Sequence, residues 1–200
     1  GKRAVVEDHF NELVIDLVNP AGQPERMQLV VRGYNDGFAF CYKIPDGKGP
    51  CVNVQSELTA YNFAGDYTAW FYNGENHNIG PEKLTETDGT RLPVMTVKAG
   101  DKHYMAIHEA CLETGAPLVL QSKGGESLFS VASKPTSLSP GYTSAWRVVL
   151  YGTTPGVLTD SHLLELLNPD PDSRYDFSWV KPGLAVWDWR INGAVWDGFT

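Results

Sequence analysis

The chain has 200 residues, of which 42% are hydrophobic and 20% charged, and its net charge is −8 at pH 7. This length suits one folded core with at most a small addition. The negative charge disfavours a nucleic-acid-binding protein, because such proteins need Lys and Arg to neutralise phosphates. No apolar run approaches the roughly 20 residues of a membrane-spanning helix, and the first residues lack the apolar segment of a secretory signal. We therefore expect a soluble chain.

The three cysteines, Cys41, Cys51 and Cys111, are an odd number without C-x-x-C spacing. This pattern indicates neither a disulfide framework nor a zinc site. We expect buried thiols, since a free cysteine packs like a small hydrophobic residue.

Short strands separated by turn residues are predicted through most of the chain. In the segment ELVIDLV, Leu13, Ile15 and Leu17 alternate with Val14, Asp16 and Val18, which predicts a strand buried on at least one face. Next, Asn35-Asp36-Gly37 separates two apolar runs, and Asp-Gly supplies the positive φ values of a tight hairpin. In the second arm of this hairpin, the alternating residues Phe38, Phe40, Tyr42 and Ile44 share one face, which we expect to meet the core.

The remaining segments extend this pattern to about ten strands, which is typical of an antiparallel sandwich. Further strands are predicted in SELTAYNF, TAWFY, PVMTVKA, HYMAIHEA, APLVLQS, SLFSVA and AWRVVLYG. The polar run at 73–91 has no apolar period and predicts a long loop. One helix is predicted at 161–168, where the leucines of SHLLELLN make an apolar stripe.

Few residues in these segments suggest chemistry. Neither a G-x-S-x-G elbow nor a phosphate-binding P-loop occurs. On a straight strand, His103 and Glu109 would lie about 20 Å apart on one face and His108 on the other, so they cannot share a metal ion. We expect both histidines to be exposed or to make structural hydrogen bonds. Glu109 lies among apolar residues and needs a cation or an Arg as its partner, unless it faces water at a sheet edge.

The other constellation is Trp187-Asp188-Trp189. Tryptophan faces can stack on the C–H faces of sugars, and carboxylates accept hydrogen bonds from sugar hydroxyls. Tryptophans at a domain junction more often serve packing, so the tripeptide alone is a weak indication of a carbohydrate site.

Six motifs in order make the chain resemble the N-terminal region of glycoside hydrolase family 97, the bacterial α-glucosidase and α-galactosidase group. They are HFNELVIDL, LVVRGYNDGFAFCYKI, YMAIHEACL, SAWRVVLYG, LTDSHLLELLNP and DFSWVKPGLAVWDW. The resemblance implies a mainly β fold, a galactose-mutarotase-like β-sandwich truncated at both ends and leading into the first strand of a (β/α)8 barrel. It places the sandwich at 1–155, the helix and linker at 156–178, and the start of the catalytic barrel at 179–200.

The resemblance also implies a function and a set of site residues. It implies a calcium-dependent hydrolase of terminal α-glucosidic or α-galactosidic bonds, located in the periplasm or secreted. Glu109 matches the calcium ligand that the sandwich contributes, whereas the other ligands, the catalytic glutamates and a C-terminal domain lie beyond this chain. Trp187, Asp188 and Trp189 would lie at the C-terminal end of a barrel strand, near an α-linked oligosaccharide or galactoside. Arg190 stands where the family usually has a further tryptophan.

The chain itself is therefore expected to contain no catalytic residue. Glycoside hydrolysis needs two carboxylates that flank the bond, and these are expected downstream. The alternative function is a non-catalytic carbohydrate-binding or domain-packing β-sandwich.

Overall fold

The computed structural model describes residues 5–18, 24–74, 78–113 and 116–184. The chain divides into two compact units, Gly1–Pro169 and Asp170–Thr200. In the second unit the described residues, 170–184, form turns without a strand or helix. The predicted first barrel strand, with Trp187, Asp188, Trp189 and Arg190, lies outside the described residues.

The described part of the first unit contains thirteen strands and two short helices. The strands are β1 (Asn11–Val18), β2 (Pro24–Tyr34), β3 (Gly37–Lys43), β4 (Val52–Val54), β5 (Ala60–Asn62), β6 (Thr68–Tyr72), β7 (Asn78–Lys83), β8 (Asp88–Lys98), β9 (Tyr104–Ala110), β10 (Leu120–Lys123), β11 (Leu128–Val131), β12 (Thr136–Leu138) and β13 (Trp146–Gly152). The helices are α1 (Pro155–Asp160) and α2 (Leu163–Leu166), and a 3₁₀ turn spans Leu84–Glu86.

The strands pair antiparallel in the order β1-β2-β3-β13-β9-β8-β10-β11-β5, with β6 bridging β7 and β8 and a separate pair of β4 and β12. Strand β8 belongs to two layers, since its second half pairs with β9 and its first half with β10. The mainly antiparallel β fold predicted from the sequence is confirmed. Among the described residues, no helix is long and apolar enough to cross a membrane.

Two cores lie on opposite faces of the central strands. On β9, Ala106 belongs to one core and its neighbour Ile107 to the other, as the alternation of a strand requires. The helix-covered core contains Val30, Ala39, Cys41, Ala106, Ala110, Trp146, Val148, Leu150, Leu163 and Leu167. The inter-sheet core contains Ala69, Phe71, Leu84, Met95, Val97, Ile107, Leu118, Leu120, Phe129 and Val131.

The predicted β2–β3 hairpin is confirmed, with Tyr34 paired to Gly37 across the turn. The glycine is required mainly by close packing, because a Cβ at Gly37 would lie 2.3 Å from the carbonyl oxygen of Val149 on β13. The prediction that Phe38, Phe40, Tyr42 and Ile44 meet the core holds only for Ile44, which is fully buried just past the end of β3. Phe38 is 44% exposed and Phe40 and Tyr42 are partly exposed, whereas Ala39 and Cys41 on the opposite face are buried. Small side chains occupy this face because the leucines of the α2 region pack against it.

Two further predictions are corrected by the structure. The run at 73–91 is not a long loop, because it contains β7, the 3₁₀ turn and the start of β8, with Leu84 fully buried. Among the described strands β7 pairs with β6 at its edge, and its sequence NIGPEK has a single large apolar residue, Ile79, so it shows no strand-like alternation. The thiols are not all buried either: Cys41 is buried, but Cys51 is exposed and Cys111 is partly exposed.

The predicted helix at 161–168 is present as α2, and a second helix, α1, precedes it unpredicted. Leu163 and Leu167 are buried, as the apolar stripe indicated. The hydroxyl of Ser161 accepts a hydrogen bond from the N–H of Leu163 at 3.2 Å, one of the capping contacts expected near this end.

Candidate functional site

Glu109 lies near the end of β9, a central strand with β8 on one side and β13 on the other. Directly across the β9–β13 ladder, its partner is Arg147. Residues opposite each other in an antiparallel pair project from the same face of the sheet. On β13, Arg147 is the one charged residue of the strand WRVVLYG, and its neighbours Trp146 and Val148 are buried.

Arg147 joins two carboxylates. Its Nη1 donates to Oε2 of Glu109 at 3.3 Å. Its Nε and Nη2 donate to the two oxygens of Glu57, at 3.0 and 2.7 Å. The side chains of Glu57, Arg147 and Glu109 are 18%, 6% and 11% exposed. We call these three residues the carboxylate–arginine triad.

Other contacts hold the two ends of the triad in place. The backbone N–H of Leu118 donates to the same Oε2 of Glu109, at 2.8 Å. Glu57 lies between β4 and β5, where its N–H donates to the hydroxyl of Ser133 at 2.8 Å. The Glu109 carboxylate is therefore held by a backbone N–H as well as by the arginine, and the backbone of Glu57 is held by the side chain of Ser133.

Burial and neighbouring charges shift the pKa values of Glu109 and Arg147. Burial raises the pKa of Glu109, and the N–H of Leu118 and the charge of Arg147 oppose that shift. For Arg147, burial lowers the pKa, but the hydrogen bonds and charge of Glu57 outweigh burial, so the pKa lies above its ordinary value. With all three groups ionised, the triad carries one net negative charge.

Aromatic side chains border the triad. Burial raises the pKa of Tyr61, and the positive charge of Arg147 acts against this shift. The Tyr61 hydroxyl is buried and finds no hydrogen-bond partner among the described residues. The hydroxyl of Tyr42 is hydrogen-bonded to that of Thr59 at 3.0 Å. The low exposure of the triad side chains strengthens the electrostatic interactions among them.

Sequence reasoning found one member of the triad and missed two. The expectation that Glu109 needs a cation or an Arg is met by Arg147, and the alternative of a glutamate facing water at a sheet edge is wrong. Arg147 could have been recognised in the sequence, because it is the one charged residue of an apolar strand. No sequence feature marked Glu57, because it lies in a polar connection 90 positions from Arg147.

The two histidines lie apart from the triad's carboxylates. The Nδ1 of His103 is hydrogen-bonded to the hydroxyl of Tyr151 at 2.7 Å. The Nδ1 of His108 accepts from the N–H of Glu109 at 2.8 Å, and burial lowers its pKa. Both therefore make the structural hydrogen bonds that the sequence predicted.

The described residues contain no group of three or more His, Cys, Asp or Glu side chains that could hold a metal ion. Glu109 could therefore contribute only one ligand to a site completed by groups outside the described residues. Trp187, Asp188 and Trp189 lie outside the described residues, so their role in substrate binding stays a prediction.

Comparison with known proteins decides the family. The family model described as glycosyl-hydrolase 97 N-terminal matches residues 1–169. The chain belongs to this family. The family 97 assignment agrees with the order of the six motifs, all but the last of which lie within the matched residues.

The relatives of this family 97 chain include two curated enzymes. A retaining alpha-galactosidase of Bacteroides thetaiotaomicron is 27% identical over 79% of the chain and 30% of the enzyme. A probable retaining alpha-galactosidase of Streptomyces bingchenggensis is 29% identical over 84% of the chain and 27% of the enzyme. The chain thus spans less than a third of the length of these relatives.

A solved structure shows the same fold. The family 97 enzyme of Pseudoalteromonas sp. strain K8, determined in complex with acarbose, has a TM-score of 0.74 and 25% identity. The match covers 92% of this chain and 29% of that enzyme.

Proposed function

We propose that this chain forms the N-terminal β domain of a calcium-dependent glycoside hydrolase that cleaves terminal α-glucosidic or α-galactosidic bonds. The observation that carries the proposal is the family 97 match over residues 1–169. Two matched relatives are named as alpha-galactosidases, and a matched structure contains acarbose. By the same resemblance, we propose a periplasmic or secreted location.

In this proposal the β domain supports catalysis and does not perform it. The triad is unsuited to act as the acid/base pair, because both oxygens of Glu57 and one of Glu109 are bonded to Arg147. An acid and a base that flank a glycosidic bond must exchange protons with substrate or water. We expect those carboxylates in a downstream barrel, to which Trp187, Asp188 and Trp189 would add contacts with the sugar.

Glu109 is the residue of this chain that we propose as a calcium ligand. Its Oε2 accepts from both Leu118 and Arg147, whereas no described residue donates to its Oε1. Calcium prefers carboxylate and other oxygen ligands, so Oε1 has suitable chemistry for one coordination position. Bound calcium would supply a fixed positive charge close to the substrate.

The test compares the 200-residue chain with the same protein extended through the barrel. Hydrolysis of nitrophenyl α-glucoside and α-galactoside is measured with calcium and with a chelator. We expect activity only in the extended protein supplied with calcium. Activity of the 200-residue chain alone would refute the supporting role of this domain.

A variant pair tests the calcium ligand. Glu109→Gln in the extended protein should raise the calcium concentration for half-maximal activity by more than about 10-fold. Glu113→Gln, a matched change at an exposed glutamate four positions away, should leave it unchanged. Equal calcium dependence of the two variants would contradict the proposal.

A second candidate function is carbohydrate binding by the β domain itself. Trp70 and Tyr72 lie on one face of β6, where they are 37% and 40% exposed. Together with Ile79, Val94 and Thr96 they line a pocket of about 200 Å³. Exposed aromatic faces beside a pocket suit the stacking of a sugar ring.

Isothermal titration with maltotriose and melibiose tests this second candidate. Binding heat that Trp70→Ala removes, and that the matched change Trp179→Ala in the second unit preserves, would support it. The absence of heat with either sugar would leave a domain-packing role for the β domain.

A further inference from the structure

The two carboxylates of the triad are bound differently by Arg147. Glu57 takes two short hydrogen bonds from Nε and Nη2, at 3.0 and 2.7 Å, one to each oxygen. Glu109 takes a single longer one from Nη1, at 3.3 Å. A guanidinium binds a carboxylate best through two parallel hydrogen bonds. The two-donor side of the Arg147 guanidinium, Nε and Nη2, is therefore bound to Glu57.

This asymmetry leaves one oxygen of Glu109 available. Both hydrogen bonds to Glu109 from described residues, from Leu118 N–H and Arg147, converge on Oε2. The Oε1 atom accepts none from the described residues. A carboxylate that is held through one oxygen can bind a cation through its other oxygen.

The net charge of the triad also depends on Glu57. With Glu57 present, the triad keeps one net negative charge next to a cation. Without Glu57, the guanidinium would have only Glu109 as a carboxylate partner in the triad, and the pair would be neutral. A cation would then have to compete with a positive charge that is 6% exposed and therefore poorly screened by solvent.

The backbone of Glu57 is fixed by Ser133. The N–H of Glu57 donates to the hydroxyl of Ser133 at 2.8 Å, and that hydroxyl lies 3.5 Å from the carbonyl oxygen of Glu57. Arg147 is fixed in turn by β13, opposite Glu109 in the ladder. The three side chains thus come from separate elements that are anchored by their backbones.

We infer that Glu57 is a positioning residue for calcium binding by Glu109. It occupies Nε and Nη2 of Arg147 and so keeps the arginine from forming a second hydrogen bond with the Glu109 carboxylate. The inference rests on the proposed role of Glu109 as a calcium ligand. It assigns to Glu57 an effect on the metal without any contact with it.

The test measures calcium affinity by isothermal titration of the protein extended through the barrel. Glu57→Gln should weaken calcium binding about 10- to 100-fold, the usual effect of losing a partner that orients a metal ligand. Glu12→Gln, which breaks the ion pair between Glu12 and Arg32 elsewhere on the sheet, is the matched control and should bind like the wild type. Thermal unfolding in chelator shows whether each variant is folded.

A double variant separates positioning from a merely structural role. If Glu57 acts by occupying the arginine, then Glu57→Gln combined with Arg147→Gln should bind calcium more tightly than Glu57→Gln alone. A double variant no tighter than Glu57→Gln would overturn the inference. If Glu57→Gln does not fold, the double variant decides: affinity near that of the wild type supports the inference, and loss of binding refutes it.

Glu109→Gln distinguishes the two levels of the proposal. Unchanged calcium affinity in this variant means that the proposed calcium ligand is wrong, and the inference about Glu57 is refuted with it. Loss of affinity in Glu109→Gln with unchanged affinity in Glu57→Gln refutes the positioning role alone.

Discussion

Removing the arginine at the centre of the triad should destabilise the fold strongly. Arg147→Met keeps much of the side-chain volume but leaves Glu57 and Glu109 close together without a counter-charge. The Arg147 side chain is 6% exposed, so solvent cannot replace its hydrogen bonds without opening the structure. Breaking a buried ion pair by removing one partner costs about 3–5 kcal/mol. For a domain of this size, this corresponds to a fall in Tm of roughly 6–20 °C.

Urea unfolding followed by circular dichroism measures this free energy of unfolding. The control is Arg32→Met, which breaks the exposed pair with Glu12 and a stacking contact with Phe10 at 4.2 Å. It should cost less than about 2 kcal/mol. Adding Glu57→Gln to Arg147→Met should recover part of the loss, because one uncompensated carboxylate is removed. A cost for Arg147→Met no larger than that of Arg32→Met would refute the reasoning.

Three smaller predictions follow from packing and burial. Gly37→Ala should cost about 1–3 kcal/mol in urea unfolding, because its Cβ would meet a backbone oxygen at 2.3 Å, whereas Gly33→Ala meets nothing within 4 Å and should cost much less. Burial raises the pKa of Cys41 to about 11, so with a thiol reagent at neutral pH exposed Cys51 should react at once and Cys41 only after unfolding; simultaneous reaction would contradict this. Burial lowers the pKa of His108 from its ordinary 6.5, so its contribution to stability is present above that pH and is lost as the pH falls. The wild type should therefore lose more free energy of unfolding than His108→Asn between pH 7 and pH values below about 6, and equal losses would refute the shift.

Local pattern was sufficient for much of the fold. The alternation in ELVIDLV and AWRVVLYG predicted strands that are observed as β1 and β13. The expected burial of β1 on at least one face is wrong, because Leu13 and Ile15 on one face and Val14 on the other are exposed. The Asn35-Asp36-Gly37 turn and the leucines of α2 were also recognisable, because turns and single helical turns depend on residues close in sequence. The ordered motifs identified the family before any fold was known.

The sequence pattern failed where the burial of a strand depends on which element packs against it or pairs with it. The sequence of β3 alternates between small and aromatic residues, and either face could have been buried. Only the packing of α2 on the sheet decided that Ala39 and Cys41 face a core while Phe38 is half-exposed. Likewise β7 is a strand because β6 offers it an edge.

By itself, the sequence determined the class of fold, the family and the need of Glu109 for a partner, since these follow from local alternation, ordered motifs and the cost of burying a lone charge. Tertiary structure alone decided which groups meet that need. Arg147 lies 38 positions from Glu109 and 90 from Glu57, and nothing in the sequence between them encodes the contact. The triad forms because β9 and β13 are neighbours in the sheet and the connection after β4 returns to the same face, a proximity set by strand order and not by distance along the chain.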